Sequence, residues 1–102
     1  MRIEVVGRNL PITDAIRQHA ENKIAKLPRY FDGVQLVTLR LEAEERADRW
    51  KFNAELVVDV EKHEDFVSHA SGDDVYGLID SVVQKCSRQL TDFKERLKQG
   101  KR

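Results

Sequence analysis

The chain has 102 residues, of which 40% are hydrophobic and 35% charged, and its formal net charge at neutral pH is zero. This length and composition fit one globular domain with its own core, and they exclude a second domain, low complexity and extended disorder. No apolar run approaches the about 20 residues of a membrane span, no secretory signal is visible, and the single cysteine excludes a disulfide framework. We therefore expect a cytoplasmic protein.

The charges are segregated along the chain. Residues 1–41 hold 7 basic and 4 acidic side chains, residues 42–80 hold 4 and 12, and residues 81–102 hold 7 and 2. A neutral chain with this distribution can present a basic face and an acidic face. The zero net charge therefore does not exclude an anionic partner.

The first half of the chain predicts a strand, a helix and a second strand. Residues 2–6 are β-like. Apolar residues three or four apart predict a helix over residues 14–27, with Thr13 as its N-cap and Pro28 as its end. Alternation of apolar and polar residues predicts the next strand over residues 35–44.

The second half predicts two more strands, over residues 50–60 and 66–71, and a long closing helix over residues 74–97. That helix would be about 36 Å long, against about 20 Å for a typical strand, so its basic end should extend beyond the sheet. Its apolar stripe fits within an arc of about 80° and consists of Val75, Ile79, Val82, Cys86, Leu90, Phe93 and Leu97.

The predicted fold class is α+β, in the order β-α-β-β-β-α. Polar turns join the last three strands, which indicates an antiparallel meander, and the single stripe on each helix places both helices on one face of a four-stranded sheet. The predicted core consists of Ile3, Val5, Ile16, Ala20, Ile24, Leu27, Val37, Leu39, Leu41, Phe52, Ala54, Leu56, Val58, Phe66, Val75, Ile79, Val82, Cys86 and Leu90.

Catalysis is not indicated. The three histidines, His19, His63 and His69, have no metal-ligand spacing, and Cys86 belongs to an apolar stripe rather than to an activated site. The acidic cluster at residues 42–45 is typical of a solvated strand end. Because phosphate-binding loops and nucleophile elbows are also absent from the sequence, we expect no enzyme activity, no metal and no cofactor.

The basic residues of the two helices leave two interpretations open. They are either ordinary solvated charge, favoured near helix C-termini, or a composite surface for nucleic-acid phosphates. On the closing helix, Lys85, Arg88 and Arg96 lie together about a third of a turn from the stripe. The aromatic residues with the potential to stack on bases are Tyr30, Phe31 and Tyr76.

Two blocks of sequence resemble a known family. The first comprises Gly7-Arg8-Asn9, residues 12–17, residues 23–27 and Tyr30-Phe31-Asp32, and the second comprises residues 70–80 and 85–90. Together they are similar to the ribosome hibernation-promoting factor and ribosome-associated inhibitor A family, also described as sigma-54 modulation proteins. The resemblance covers essentially the whole chain.

The resemblance implies a fold like that of a double-stranded-RNA-binding domain with an extra leading strand. It implies binding to rRNA of the small ribosomal subunit near the decoding centre, where the protein would block mRNA and the A- and P-site tRNAs in stress or stationary phase. Carried onto matching positions, the implied rRNA contacts are Lys23, Lys26, Arg29, Lys85, Arg88, Lys94 and Arg96, with Arg17 as a weaker member.

The chain ends point to the short family type. We expect one ribosome-binding domain over residues 1–98 and a short basic tail over residues 99–102, without the dimerising domain of long members. The free protein would be a monomer, and a second hibernation factor and ribosome dimers are further partners that the resemblance admits. Two other hypotheses are a generic double-stranded-RNA-binding module and a protein-binding adaptor that uses the acidic sheet face.

Overall fold

The computed structural model describes residues 1–100, which form a four-stranded sheet and two helices. The elements in chain order are β1 (Arg2–Arg8), α1 (Asp14–Ile24), a 3-10 turn (Leu27–Arg29), β2 (Val34–Arg46), β3 (Arg49–Val60), β4 (Phe66–Gly72) and α2 (Val75–Gly100). The predicted α+β class and element order are confirmed.

The strands are arranged β1-β2-β3-β4 in the sheet. β1 pairs with β2 in parallel, whereas β2, β3 and β4 form an antiparallel meander, as predicted. Both helices contribute buried side chains to one core on the same face of the sheet. The opposite face, called the open face below, carries no helix among the described residues.

The core follows the predicted stripes with a few differences. The structure buries four further apolar residues, and four predicted core residues are only half-buried. Leu78 lies off the main stripe of α2 but packs on Gly72, where no side chain intervenes. The additional buried residues are Val34, Ala43, Val60 and Leu78, and the half-buried ones are Ile3, Phe52, Phe66 and Val75.

α1 is shorter than predicted, and α2 is longer. Thr13 caps α1 as predicted, its hydroxyl accepting a hydrogen bond from the Ile16 backbone N–H at 3.1 Å. The α-helix nevertheless ends at Ile24, because the chain tightens into a 3-10 turn around Pro28, which cannot donate an α-helical hydrogen bond. α2 continues through Gly100, so residues 99 and 100 are helical rather than tail. Residues 101 and 102 of the predicted tail lie outside the described residues.

α2 is attached to the sheet by polar contacts as well as by its stripe. The buried hydroxyl of Ser68 on β4 donates to the Val82 carbonyl at 2.8 Å. Gln89 donates its amide to the Val67 carbonyl at 3.1 Å, along the edge of the sheet. Beyond Leu90 every α2 side chain except Phe93 is exposed, so the basic end of the helix projects past the sheet.

Candidate nucleic-acid interface

Two adjoining grooves lie between α2 and the segment formed by the end of α1 and the 3-10 turn that follows it. The first is a hollow of about 300 Å³ with apolar Leu27 in its lining. The second, of about 240 Å³, lies further along α2 and shares Tyr30 with the first. The charged and polar side chains of the first groove are Lys23, Lys26, Asp80, Gln84 and Ser87, and those of the second are Arg29, Thr91, Lys94, Glu95 and Lys98.

Four of the predicted contact residues meet at these grooves: Lys23, Lys26, Arg29 and Lys94. We call these four the interhelical surface. Lys26, Arg29 and Lys94 are exposed and form no ion pair within residues 1–100. Unpaired cations from two elements, lining adjoining grooves, provide a site for anions such as phosphates.

Lys23 differs because a carboxylate partly neutralises it. Asp80 of α2 lies 3.8 Å from the Lys23 ammonium and 2.8 Å from Nε2 of His19. His19 also packs edge-on against Tyr76, with ring centroids 5.1 Å apart. Sequence reasoning missed Asp80, because a helix pattern does not reveal which residue of α2 faces α1.

The other three predicted residues, Lys85, Arg88 and Arg96, form a separate group, which we call the outer flank. At about 100° per residue, Lys94 lies about 180° around α2 from Lys85. Lys85 faces β4 and donates to the His69 carbonyl at 2.6 Å. The seven predicted contacts therefore occupy two surfaces of the domain rather than one, and these approach each other at the end of α2, where Lys94 and Arg96 line a common hollow.

Of two further basic residues on the helices, one lines a groove and the other does not. Lys98 lines the second groove one helical turn beyond Lys94, and the spacing of four residues was the signal that sequence reasoning did not use. Arg17 lies about 120° around α1 from Lys23, on the side away from α2. Arg17 is therefore not part of the interhelical surface.

The three aromatic candidates have different environments. Tyr30 is 41% exposed and lines both grooves, so its ring is available to a base. Phe31 packs edge-on against Phe93 with centroids 5.1 Å apart and is half-buried. Tyr76 is 41% exposed and contacts His19. Of the three, only Tyr30 lies beside the cations of the interhelical surface.

The open face of the sheet has a different character. Two arginines of this face are matched by carboxylates: Arg8 lies 3.5 Å from Glu42, and Arg40 donates to Glu55 at 2.9 Å. Glu55 also meets Nε2 of His69 at 3.0 Å. Cations that are already paired within the protein attract phosphates weakly. The helical face is therefore the better candidate for nucleic acid, as the acidic middle of the sequence indicated.

The histidines, the carboxylates and the cysteine are the side chains relevant to catalytic or metal chemistry. In residues 1–100 no group of histidine, cysteine, aspartate and glutamate side chains has the arrangement of a metal site. Cys86 is 1% exposed, and burial raises the pKa of its thiol to about 12. Its predicted place in the core is confirmed. In the same part of the chain, no helix has the length and apolarity required to span a membrane.

The fold and the grooves define a class of protein: an α+β domain with two helices on one sheet face and a cationic surface between them. Residues 3–98 match the family described as Sigma 54 modulation protein / S30EA ribosomal protein. The chain belongs to this family.

Individual relatives agree with this assignment. The chain is 35% identical over 99 residues to the Ribosome hibernation promoting factor of Escherichia coli K12, covering 97% of this chain and 99% of the relative. The crystal structure of the Thermus thermophilus Protein Y N-terminal domain superposes with a TM-score of 0.77 at 36% identity, covering 91% and 99% of the two chains. A ribosomal subunit interface protein from Coxiella burnetii has the same fold, with a TM-score of 0.81, 21% identity and coverage of 93% and 99%.

Proposed function

We propose that this protein is a cytoplasmic hibernation factor that binds small-subunit rRNA near the decoding centre. There its bulk would occupy the path of mRNA and of the A- and P-site tRNAs and so inhibit translation in stress or stationary phase. The observation that carries the proposal is the interhelical surface, with three exposed cations that have no carboxylate partner in the described chain. The names of the relatives support the ribosome as the partner.

The mechanism is occupancy rather than chemistry. Lys26 and Arg29, at the end of α1, and Lys94, on the overhanging part of α2, would contact phosphates of folded rRNA, and Tyr30 between them would contact a sugar or base. Recognition through backbone and shape suits structured RNA, whose deep major groove is closed to side chains. The outer flank would then contact a second stretch of the same RNA.

A charge-reversal series tests the interhelical surface. In Lys26→Glu with Lys94→Glu, repulsion replaces two phosphate contacts, and we expect affinity for small subunits to fall about tenfold or more. Co-sedimentation over a range of protein concentrations measures this affinity. Because both side chains are exposed and unpaired in the described residues, the melting temperature should change little.

Two further variants serve as comparisons. Arg88→Glu with Arg96→Glu tests the outer flank and leaves the Lys85 bond to β4 intact. Arg2→Glu with Lys62→Glu makes the same change in net charge at exposed positions that belong to neither helix. Equal losses for all three variants would indicate a nonspecific charge effect and contradict the proposal. Binding to a generic RNA duplex as tight as binding to subunits would favour the duplex-binding hypothesis, and co-sedimentation that survives RNase would favour a protein adaptor.

A further inference from the structure

The hairpin of β2 and β3 extends beyond its neighbours in the sheet. The pairing of β1 ends at Arg8 opposite Glu42, and that of β4 ends at Gly72 opposite Phe52. Residues 44–51 therefore project as a two-stranded segment, which we call the ribbon. Its tip is Ala47-Asp48, and both residues have positive φ, 49° and 66°, the combination that closes a two-residue hairpin with the native strand twist.

The ribbon carries the most exposed large aromatic side chain among the described residues. Trp50, the single tryptophan of the chain, is 58% exposed and pairs with Glu45 across the ribbon. It borders a hollow of about 400 Å³ between the ribbon and the residues that precede α2. A tryptophan in this position contributes nothing to the core, and its flat indole face is free to stack. The lining residues are Arg46, Arg49, Trp50, Lys51, Gly72 and Asp73.

Cations flank the indole on its own strand. Arg49 and Lys51 precede and follow Trp50, and neither forms an ion pair in the part of the chain that the structure describes. Arg46, by contrast, lies 3.5 Å from Glu44. Acidic side chains at Glu45 and Asp73 interrupt the positive charge, so this end is no broad basic surface. Because successive residues of a strand face opposite sides, Arg49 and Lys51 lie on the other face of the ribbon from Trp50, but all three line the same hollow. A nucleotide in this hollow can place its base on the indole and its two flanking phosphates near the two cations.

We propose that the ribbon is a further RNA contact beside the helical surfaces, in which Trp50 stacks on an unpaired base and Arg49 and Lys51 bind the flanking phosphates. The inference rests on the proposed function for its choice of RNA over an acidic protein segment. Trp50 borders Asp73, close to the start of α2, whereas Lys94 lies 19 residues after Val75. At 1.5 Å per residue the two contacts are about 30 Å apart. The domain would therefore bridge two separate stretches of RNA.

The single tryptophan allows a direct test. A mixed-sequence single-stranded RNA oligonucleotide should quench Trp50 fluorescence, whereas the same strand annealed to its complement should quench it weakly, because paired bases are not available to stack. Trp50→Ala should weaken binding of the single strand about five- to a hundredfold, the range seen when an aromatic stacking partner is removed. Trp50→Phe should retain part of this binding, and Arg49→Ala with Lys51→Ala should reduce its salt dependence.

Polyglutamate of matched length is the competing probe. Quenching by polyglutamate as strong as quenching by RNA would assign the ribbon to acidic protein segments and overturn the inference. Absence of quenching by the single strand would overturn it as well. The exposed position of Trp50 means that the Trp50→Ala variant should fold, which circular dichroism and a thermal melt verify.

Measurements on ribosomes separate this inference from the proposed function. If the wild-type protein co-sediments with small subunits and Trp50→Ala binds equally well, the ribbon inference is wrong while the proposed function stands. If the wild-type protein does not co-sediment at all, the proposed function is wrong. In that case quenching by single-stranded RNA would still establish the ribbon as an RNA contact.

Discussion

A row of side chains crosses the open face of the sheet at Glu55. In the strand register, Val6, Arg40, Glu55 and His69 lie opposite one another on the four strands. The Arg40 hydrogen bond, and after it the His69 hydrogen bond, hold the pKa of the Glu55 carboxyl below its usual value, against a smaller opposing effect of burial. The ionised carboxylate is thus the form that the folded protein stabilises.

This shift predicts an acid dependence of stability. Because the pKa of Glu55 is lower in the folded than in the unfolded state, its contribution is present above the unfolded value and is lost as pH falls through the folded value. Glu55→Gln should therefore be less stable than wild type near neutral pH, and the difference should narrow on acidification below about pH 4. Urea midpoints over a pH series measure this. Glu21→Gln changes a glutamate at an exposed position without an ion pair in residues 1–100. The difference between its urea midpoint and that of the wild type should not change over the same pH series.

The Glu55 row also marks a limit of sequence reasoning at the residue scale. Alternation along β2, β3 and β4 correctly predicted which side chains face the core and which face outward. It did not predict that Arg40 meets Glu55, because cross-strand partners depend on the register of the strands. The register depends in turn on the geometry of the turn, and the residue types at Ala47-Asp48 do not indicate which turn forms.

At the scale of elements, the turn at the tip of the ribbon suits the twist of the two strands, but it forces Ala47 into a backbone conformation that is unfavourable for alanine. Ala47 has φ of 49°, in the left-handed region that costs a residue with a Cβ about 1–2 kcal/mol. Ala47→Gly removes that cost but adds about 0.5–1 kcal/mol of backbone entropy to the unfolded state. We expect a net gain of about 0.5 kcal/mol in the free energy of unfolding, measured by urea denaturation.

A matched variant gives the opposite sign. Ala15→Gly, at an exposed position inside α1, should lose about 0.5–1 kcal/mol, because glycine is a poor helix former there. A loss of stability in Ala47→Gly of the same size as in Ala15→Gly would show that the tip does not hold the left-handed conformation in solution.

The helices show which part of the candidate site was accessible to sequence reasoning. The apolar stripe of α2 was predictable from spacing alone, and so were the cations beside it. A single stripe nevertheless leaves two flanks, and the packing of α1 determines which flank faces it. Lys94 shares a groove with Arg29 and Tyr30, which follow α1 in the chain, whereas Lys85 faces β4. The same uncertainty concealed Asp80, whose partners His19 and Lys23 lie on the other helix.

At the scale of the whole molecule, the distribution of charge over the faces matters more than the net charge. The net charge is zero, yet unpaired cations collect on the interhelical surface, while arginines of the open face are matched to carboxylates. With a Debye length of about 8 Å at physiological salt, an RNA approaching the helices senses these cations and little of the acidic middle of the chain. Asp80 is the carboxylate that lies close to a cation of this surface, 3.8 Å from Lys23, whereas Glu95 lines the second groove without an ion pair in residues 1–100.

Asp80→Asn should therefore bind small subunits more tightly than wild type and with a steeper salt dependence. The change removes the negative charge that lies 3.8 Å from Lys23, so Lys23 becomes free to bind a phosphate. One added phosphate contact should steepen the slope of log affinity against log salt by about 0.7 to 0.9. Exposed ion pairs contribute little to stability, so the fold should be retained. Asp65→Asn, which makes the same charge change at an exposed residue after β3, should leave the slope unchanged. Co-sedimentation over a salt series distinguishes the outcomes, because equal slopes for Asp80→Asn and wild type would mean that Lys23 does not contact RNA.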